Sequence, residues 1–292
     1  MKRYNTAIMQ PSKKNHSDTA RFESHIVISS ADKTALQHLA ENTSLSKQKL
    51  KAAMTNGSVW LESAIGIHRL RRAKKILSKH DTLHLYYDAK IQHSKPPAAE
   101  LIADEGEYSI WNKPGGMYSQ GTKWGDHCTI YRWAEQHLKP QRPAFLVHRL
   151  DRAACGLIIL AHSKKTAAAF ASLFQTRGIQ KKYKTMVEGT LNPETMPYII
   201  ASEIDGKPAL SRIVELQALD NNMTMVTIEI ETGRKHQIRR HLSQSGHPVI
   251  GDRLYGSKQS DENLPMKNLQ LQSIYLKFNC PLTNEIREYH MD

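Results

Sequence analysis

The sequence predicts an α+β fold in which a small basic α/β module precedes a larger domain built on a mixed, mainly antiparallel sheet with flanking helices. The chain of 292 residues is long enough for two domains, and its 39% of hydrophobic residues can form packed cores. The consecutive prolines Pro96 and Pro97 indicate a linker. Beyond the linker, long alternating segments are joined by few, separate helices, which favours α+β over a doubly wound sheet.

We expect four segments in order: a flexible basic tail, the small module, the linker and the larger domain, over residues 1–23, 24–90, 91–100 and 101–292. In the small module, residues 34–40 place their apolar side chains on one helical face. Ser46 is a suitable N-cap for a second helix. Strands follow at 59–61 and 82–87, on either side of a basic run at 69–75.

The larger domain shows the periodicities of both strands and helices. We expect strands at 108–111, 146–150, 156–161, 183–187, 210–219, 223–230 and 269–278. The pair 210–219 and 223–230 is predicted to form a hairpin, because polar turn residues separate two alternating segments. We expect helices at 129–138, 164–175 and 236–245.

The positive charge is concentrated near the N-terminus. Of a formal net charge of +13, residues 1–95 carry +10, from 17 Lys and Arg against 7 Asp and Glu. Such a field attracts polyanions and favours nucleic acid, the alternative being a lysine-rich solvated surface. Three scattered cysteines without CxxC spacing favour a cytoplasmic protein. The sequence contains no apolar run of about eighteen residues that would predict a membrane helix, and we expect no secretory signal, because no apolar region follows the basic residues of the N-terminus.

Three segments of the larger domain could carry chemistry. The charged quartet His148-Arg149-Leu150-Asp151 lies between apolar strands, and both a functional loop and an ordinary surface loop remain open for it. Residues 231–241 combine a glycine with a dense cluster of cations at a strand-to-helix transition, which suits phosphate or carboxylate. Residues 246–256 contain glycines that indicate tight turns, and alone they read as a loop.

Together these segments resemble the RluA family of RNA pseudouridine synthases. The motifs are "WNKPGGMYS", "HRLDRAACGL", "QKKYKTMVEG", "GRKHQIRRHLSQSGHPVIGDRLYG" and the closing "LQLQSIYLKFNCPLT". They stand in the family's order between about residues 100 and 285. The resemblance implies a pseudouridine synthase catalytic domain that isomerises uridines in RNA.

The resemblance also implies roles for individual residues. Asp151 matches the nucleophile, Tyr183 the tyrosine that stacks beneath the target base, and Arg239 the arginine that pairs with the aspartate. Arg149 matches a residue associated with the flipped-out geometry of the RNA. From the same motifs we expect further RNA contacts from His148, Arg234, His236, Gln237 and Lys113. The sequence departs from the family at Ala154-Cys155, where hydroxyl side chains are common, and this puts the support of the Asp151 loop in doubt.

Residues 45–62, "LSKQKLKAAMTNGSVWLE", and the later "LSKHDTLHLYYD" resemble the S4 RNA-binding domain. The resemblance implies that Lys47, Lys49 and Lys51 contact RNA phosphates. The usual "VNG" after the turn is absent, because Trp60-Leu61-Glu62 stands in its place. A generic α/β extension is the alternative for this module.

Isomerising uridine to pseudouridine adds and removes no group, so we expect neither a cofactor nor a metal. His236, His241 and His247 also lack the spacing of a zinc-binding helix. Structured RNA is the expected partner, large-subunit rRNA before tRNA, and a monomer is the default. The alternative from another class is a non-catalytic RNA-binding factor of ribosome assembly. A nuclease would require paired carboxylates, and Asp151 has no acidic neighbour nearby in the sequence.

Overall fold

The computed structural model describes residues 21–256 and 268–291 and divides the chain into two compact units. The described part of the first unit comprises residues 21–96 together with residues 121–128. Its elements are β1 (Arg21–Val27), α1 (Ala35–Asn42), α2 (Lys47–Thr55), β2 (Val59–Ser63), β3 (Gly66–Arg69), β4 (Thr82–Asp88) and α3 (Ala89–His93).

The first unit is a four-stranded antiparallel sheet in the order β1-β4-β2-β3, with helices against one face. Leu39 of α1 and Leu50 and Met54 of α2 are fully buried with Leu83 and Leu85 of β4. Because side chains alternate along a strand, the intervening residues of β4 point to the opposite face of the sheet. That face is covered by no helix of the described unit.

The helix starts of this unit follow from local capping. Thr34 and Gln37 form a capping box at the start of α1. The Ser46 side chain accepts a hydrogen bond from the backbone N–H of Lys49, which confirms the predicted N-cap of α2. The prediction of a flexible tail to residue 23 was wrong at its end, because Arg21–Val27 pairs with β4 as an edge strand. Residues 1–20 lie outside the described residues.

Residues 121–128 cluster with the first unit, although they follow β6 in the sequence. Asp126 is buried there and pairs with the guanidinium groups of Arg69 (3.3 Å) and Arg71 (2.5 Å). The Trp60 indole N–H donates to the carbonyl of Lys123 at 3.1 Å. The sequence placed this segment in the larger domain, because no local pattern marks such a long-range ion pair.

The second unit contains β5 (Glu100–Asp104), β6 (Tyr108–Lys113), α4 (Ile130–His137), β7 (Phe145–Leu146), β8 (Cys155–Ala161), α5 (Lys164–Gln175), β9 (Ile179–Glu188), β10 (Tyr198–Ile204), β11 (Lys207–Leu219), β12 (Met223–Ile230), α6 (Gln237–Gln244), β13 (Leu271–Asn279) and β14 (Ile286–His290). Its ten-stranded sheet runs β10-β11-β12-β9-β13-β8-β6-β5, with β14 beside β13 and β7 beside β8. The pair β13–β8 is parallel, and the other described strand pairs of this sheet are antiparallel. The predicted α+β class with a mixed, mainly antiparallel sheet is confirmed.

Helices pack on both faces of this sheet. Ile130 and Ala134 of α4 and Ile238 and Leu242 of α6 join one core cluster, whereas Phe170 of α5 joins a second. The predicted strand at 146–150 was wrong beyond Leu146, because residues 147–154 form an irregular loop. No helix among the described residues is both long and apolar enough to cross a membrane.

Candidate active site

Strand β13 brings the Asp151 loop and Tyr183 together. Ser273 of β13 pairs with Tyr183 of β9 on one side and with Gly156 of β8 on the other. Gly156 has a φ of +104°, and a Cβ there would lie 2.2 Å from the Ser273 carbonyl oxygen. Only glycine allows this close approach of two strands. The loop that precedes β8 therefore ends two strands along the sheet from β9, which carries Tyr183, with only β13 between them.

The residues on both sides of Asp151 are fixed by the segment that follows β6. The Ser119 hydroxyl donates to the Leu150 carbonyl at 2.7 Å and accepts from the Leu150 N–H at 3.1 Å. The Gly116 N–H donates to the Arg152 carbonyl at 2.7 Å. These bonds hold the backbone of the loop while the Asp151 side chain stays 26% exposed.

Lys113 holds the same loop through hydrogen bonds to backbone carbonyls. Its side chain is fully buried, and its Nζ donates to the carbonyls of Ala154 (2.7 Å), Met117 (2.9 Å) and Pro114 (3.0 Å). Burial lowers the pKa of Lys113 to about 8, which leaves the ammonium mostly protonated at neutral pH. The prediction that Lys113 contacts RNA is corrected, since a side chain without exposed surface cannot reach a phosphate. Lys113 supplies the loop support that the Ala154-Cys155 departure had put in doubt.

Replacing Lys113 with methionine is expected to lower the free energy of unfolding by about 1–3 kcal/mol, because a similar volume remains while buried carbonyls lose their donor. Urea denaturation measures this change. The exposed Lys207→Met is the matched control in the same unit and is expected to change stability by less than about 0.5 kcal/mol. Equal stability of Lys113→Met and wild type would show that the carbonyls do not depend on this donor.

Arg239 joins two carboxylates at the centre of the site. Its Nη1 donates to Oδ2 of Asp151 at 2.9 Å, and its Nε and Nη2 donate to the two carboxylate oxygens of Asp252 at 2.7 Å each. Arg239 is buried on α6, and the Asp252 side chain has no exposed surface. Burial opposes the charge on Arg239, but the carboxylates outweigh it and raise the pKa of Arg239 further. The guanidinium is therefore a permanent cation aimed at Asp151.

Asp252 was not recognised from the sequence as a site residue. Besides binding Arg239, its Oδ1 accepts from the backbone N–H groups of Leu254 (3.0 Å) and Tyr255 (3.2 Å). Burial acts to raise the pKa of Asp252, but the hydrogen bonds and charge of Arg239 outweigh it, so this pKa lies below its usual range. In the sequence, Asp252 is marked only by the glycine before it in residues 246–256. A glycine followed by an aspartate is too common in turns to identify a buried ion pair.

A cleft of about 880 Å³ opens around these groups, lined by Asp151, Tyr183 and Arg239. Burial, reinforced by the negative charge of Asp151, raises the pKa of Tyr183 to about 12, so its phenol is neutral at physiological pH. Ile230 and Leu271 add apolar walls. The lining also carries the cations Arg149, Arg152, Arg177, Arg234 and Lys235, which keep exposed surface, and the buried Lys181. Such a cleft can hold a flat apolar ring against a carboxylate while cations contact neighbouring phosphates.

The other residues predicted to contact RNA fall into two groups. Arg149 and Arg234 lie at the rim with exposed surface, and His236 lies beside Asp151, with Nε2 3.8 Å from Oδ1. His148 accepts a hydrogen bond from the Ile159 N–H at 2.9 Å, and burial lowers the pKa of His148 to about 3. His148 therefore lines the cleft as a neutral ring and not as a cation. Gln237 is 3% exposed, and its amide bonds Thr232, Ser211 and the Leu210 carbonyl. The prediction of a direct RNA contact for Gln237 is corrected to an internal role.

Lys47, Lys49 and Lys51 lie on α2 of the first unit. All three side chains are exposed, and they occupy the first turns of the helix. The Lys49 N–H is the donor to the Ser46 cap. The described structure thus leaves these lysines accessible to a polyanion.

Comparisons with known proteins agree with this geometry. A sequence model of the RNA pseudouridylate synthase family matches residues 107–244. The dual-specificity RNA pseudouridine synthase RluA of Haemophilus influenzae is 30% identical over 221 residues, which cover 69% of this chain and 97% of that protein. The tRNA pseudouridine synthase C of Yersinia pestis is 27% identical over 213 residues, 64% of this chain and 83% of that protein.

A solved structure shows the same fold. The human RNA pseudouridylate synthase domain containing 1 superposes with a TM-score of 0.56 at 21% identity, over 68% of this chain and 86% of that chain. The chain belongs to the RluA family of RNA pseudouridine synthases and is an enzyme of that class.

Proposed function

We propose that this enzyme isomerises specific uridines in structured RNA with Asp151 as the nucleophile, Tyr183 as the stacking partner of the target base and Arg239 as the partner of the aspartate. The observation that carries the proposal is the 2.9 Å bond from Arg239 to Asp151 within a cationic cleft. Arg239 stabilises the charged carboxylate, and Asp151 keeps 26% of its side chain exposed and lines the cleft that would take the sugar and base. An aspartate that forms a covalent intermediate must present its charge in this way.

The reaction breaks the bond between N1 of uracil and C1′ of ribose, turns the base and joins C5 to C1′. The hydrogen of C5 is lost to solvent, and a proton returns to N1. The target base must leave its stack, at a cost of roughly a few kcal/mol. Stacking on Tyr183 and phosphate contacts from Arg149 and Arg234 at the cleft rim offset this cost.

Large-subunit rRNA is the proposed substrate, in line with the resemblance of the first unit to S4 domains. The alternative is tRNA, which the name of the tRNA pseudouridine synthase C among the relatives favours. A pseudouridine map of total RNA from cells with and without the gene decides between them. We expect specific sites to disappear from large-subunit rRNA when the gene is removed, whereas loss confined to tRNA would overturn the rRNA assignment.

The exposed lysines of α2 provide a second prediction. Replacing Lys47, Lys49 and Lys51 together with glutamine is expected to reduce the slope of log affinity against log salt by about 2 to 3, since each phosphate contact contributes about one unit. Fluorescence anisotropy with labelled rRNA fragments at several salt concentrations measures the slope. Lys90→Gln on the short helix α3 is the matched single control. An unchanged slope in the triple variant would exclude these lysines from RNA binding.

Cytoplasmic localisation and a monomeric state belong to the same proposal. Cys128, Cys155 and Cys280 all lie in the described residues, and none of them forms a disulfide. Thiols that remain reduced fit a reducing compartment. Sedimentation of the purified chain tests the monomeric state.

A further inference from the structure

The sheet of the first unit presents an unusual set of side chains on the face opposite α1 and α2. Trp60 of β2 and His84 and Tyr86 of β4 point to this face and are only partly buried. Trp60 and His84 are direct cross-strand partners, and His25 of β1 pairs with His84 from the other side. The outer face of a sheet usually carries polar side chains, whereas this face carries a row of aromatic rings that residues 121–128 of the same unit cover only in part.

Residues 121–128 extend this row. Trp124 packs edge to face on Tyr86 with ring centroids 5.9 Å apart. The Arg21 guanidinium lies 4.3 Å from the Trp124 ring centroid, and the Lys123 ammonium lies 4.6 Å from that of Tyr86. The Trp60 ring is already covered by the Arg69 guanidinium, which lies 4.3 Å from its centroid. We call His84, Tyr86 and Trp124, with Arg21 and Lys123, the open aromatic face.

The charge of the unit favours a polyanion as occupant. Its described residues contain 14 Lys and Arg against 7 Asp and Glu, a net charge of +7. On the face itself, the carboxylates are already engaged: Glu23 with Lys123 at 2.6 Å, Glu62 with His84 at 3.0 Å and Asp88 with Arg21 at 3.6 Å. Arg21 nevertheless keeps 63% of its side chain exposed. The long-range field therefore attracts an anion, and the local surface offers flat rings rather than a bare cationic patch.

Unpaired RNA matches both properties. Its bases stack on aromatic rings and on arginine guanidinium planes, while its phosphates respond to the net charge. A duplex hides the faces of its bases and fits the charge alone. The Arg21 guanidinium lies over the Trp124 ring and is 63% exposed, so a base can stack against it.

We propose that the open aromatic face binds unpaired nucleotides of the substrate RNA by stacking. The inference rests on the proposed function for the identity of the substrate, and it adds a binding surface formed by residues of the first unit. It is also separate from α2, because the lysines of α2 lie on the helix layer and the aromatic row lies on the opposite face of the sheet. Tyr86 and Trp124 are its central residues.

The test measures the affinity of the full chain for a labelled oligocytidylate of about 12 nucleotides, a length within the roughly 4–16 that one such surface spans. Oligocytidylate contains no uridine and so is no substrate for the cleft.

Tyr86→Leu and Trp124→Leu keep apolar volume but remove the aromatic ring, and each is expected to weaken binding at least about 5-fold. Arg21→Ala changes a largely exposed side chain and is expected to weaken binding without affecting the thermal unfolding midpoint. Ile76→Ala, which alters an exposed residue outside the strands of the sheet, is the control and is expected to bind like wild type.

Equal affinity of wild type, Trp124→Leu and Arg21→Ala would overturn the proposal. If the α2 lysine variant lost oligocytidylate binding while Tyr86→Leu bound like wild type, the binding would be assigned to the helix layer. That result would also overturn the proposal. Tritium release from RNA labelled at uracil C5, measured on the same proteins, distinguishes a failure of the proposed function from a failure of the open aromatic face. Wild type that releases no tritium but binds through Tyr86 contradicts only the proposed function. Normal release together with unaffected leucine variants contradicts only the open aromatic face.

Discussion

Replacing Asp151 with asparagine is expected to reduce pseudouridine formation by at least about 10³-fold, because the amide keeps the shape of the side chain but cannot act as a nucleophile. The amide oxygen can still accept the bond from Nη1 of Arg239, so the loop is expected to keep its conformation. RNA affinity should change by less than about 3-fold, since cations at the rim provide the phosphate contacts. Tritium release from uracil C5 measures the reaction, and anisotropy measures binding.

Asp205→Asn is the matched control for this variant. Asp205 also accepts a bond from an arginine at 2.9 Å, but the pair Arg240–Asp205 is exposed, with 66% of the aspartate side chain in solvent. The control removes the same charge from the same unit and is expected to retain full activity. Activity above about a tenth of wild type in Asp151→Asn would remove Asp151 from the nucleophile role. Wild type that binds RNA without any tritium release would favour the non-catalytic assembly factor.

The main elements of the fold were accessible from the sequence because their signals are local. The helix Lys164–Gln175 and the hairpin of β11 and β12 have clear periodicity and turn residues, and both occur as predicted. The edge strand β1 was missed because its composition resembles a polar tail, and only the pairing with β4 makes it a strand. The loop 147–154 was partly read as a strand because Leu146, Val147 and Leu150 are apolar.

The sequence predicted only those catalytic residues of the site that match a family motif. Asp151, Tyr183 and Arg239 come together in one cleft as the resemblance implied, although no local pattern gives their distances. Lys113 was misassigned because the motif that contains it says nothing of the burial of its side chain. Its burial depends on carbonyls from two separate loops that converge on its ammonium. Asp252 was missed for the same reason, since its partner lies on α6 and the pairing is visible only in three dimensions.

Arg239→Met is expected to abolish measurable activity and to lower the free energy of unfolding by about 3–5 kcal/mol, because it leaves the buried Asp252 without its cation. The stability loss alone would not show that Arg239 positions Asp151. Asp252→Asn separates the two effects, since it loosens Arg239 while the bond from Arg239 to Asp151 remains available. We expect Asp252→Asn to lower kcat about 10- to 100-fold through misplacement of the nucleophile, with KM changed by less than about 3-fold.

Acid sensitivity gives this prediction an independent readout. Because the pKa of Asp252 is lowered in the native state, its contribution to stability is present above the unfolded pKa of about 3.9 and is lost as pH falls through the lower native pKa. Wild type should therefore lose stability steeply below about pH 4, and Asp252→Asn should lose less over the same range. Urea unfolding between neutral and acid pH measures this difference. If Asp252→Asn flattened the acid profile and left kcat unchanged, Asp252 would be a structural ion-pair partner, and Arg239 would hold the nucleophile without its help.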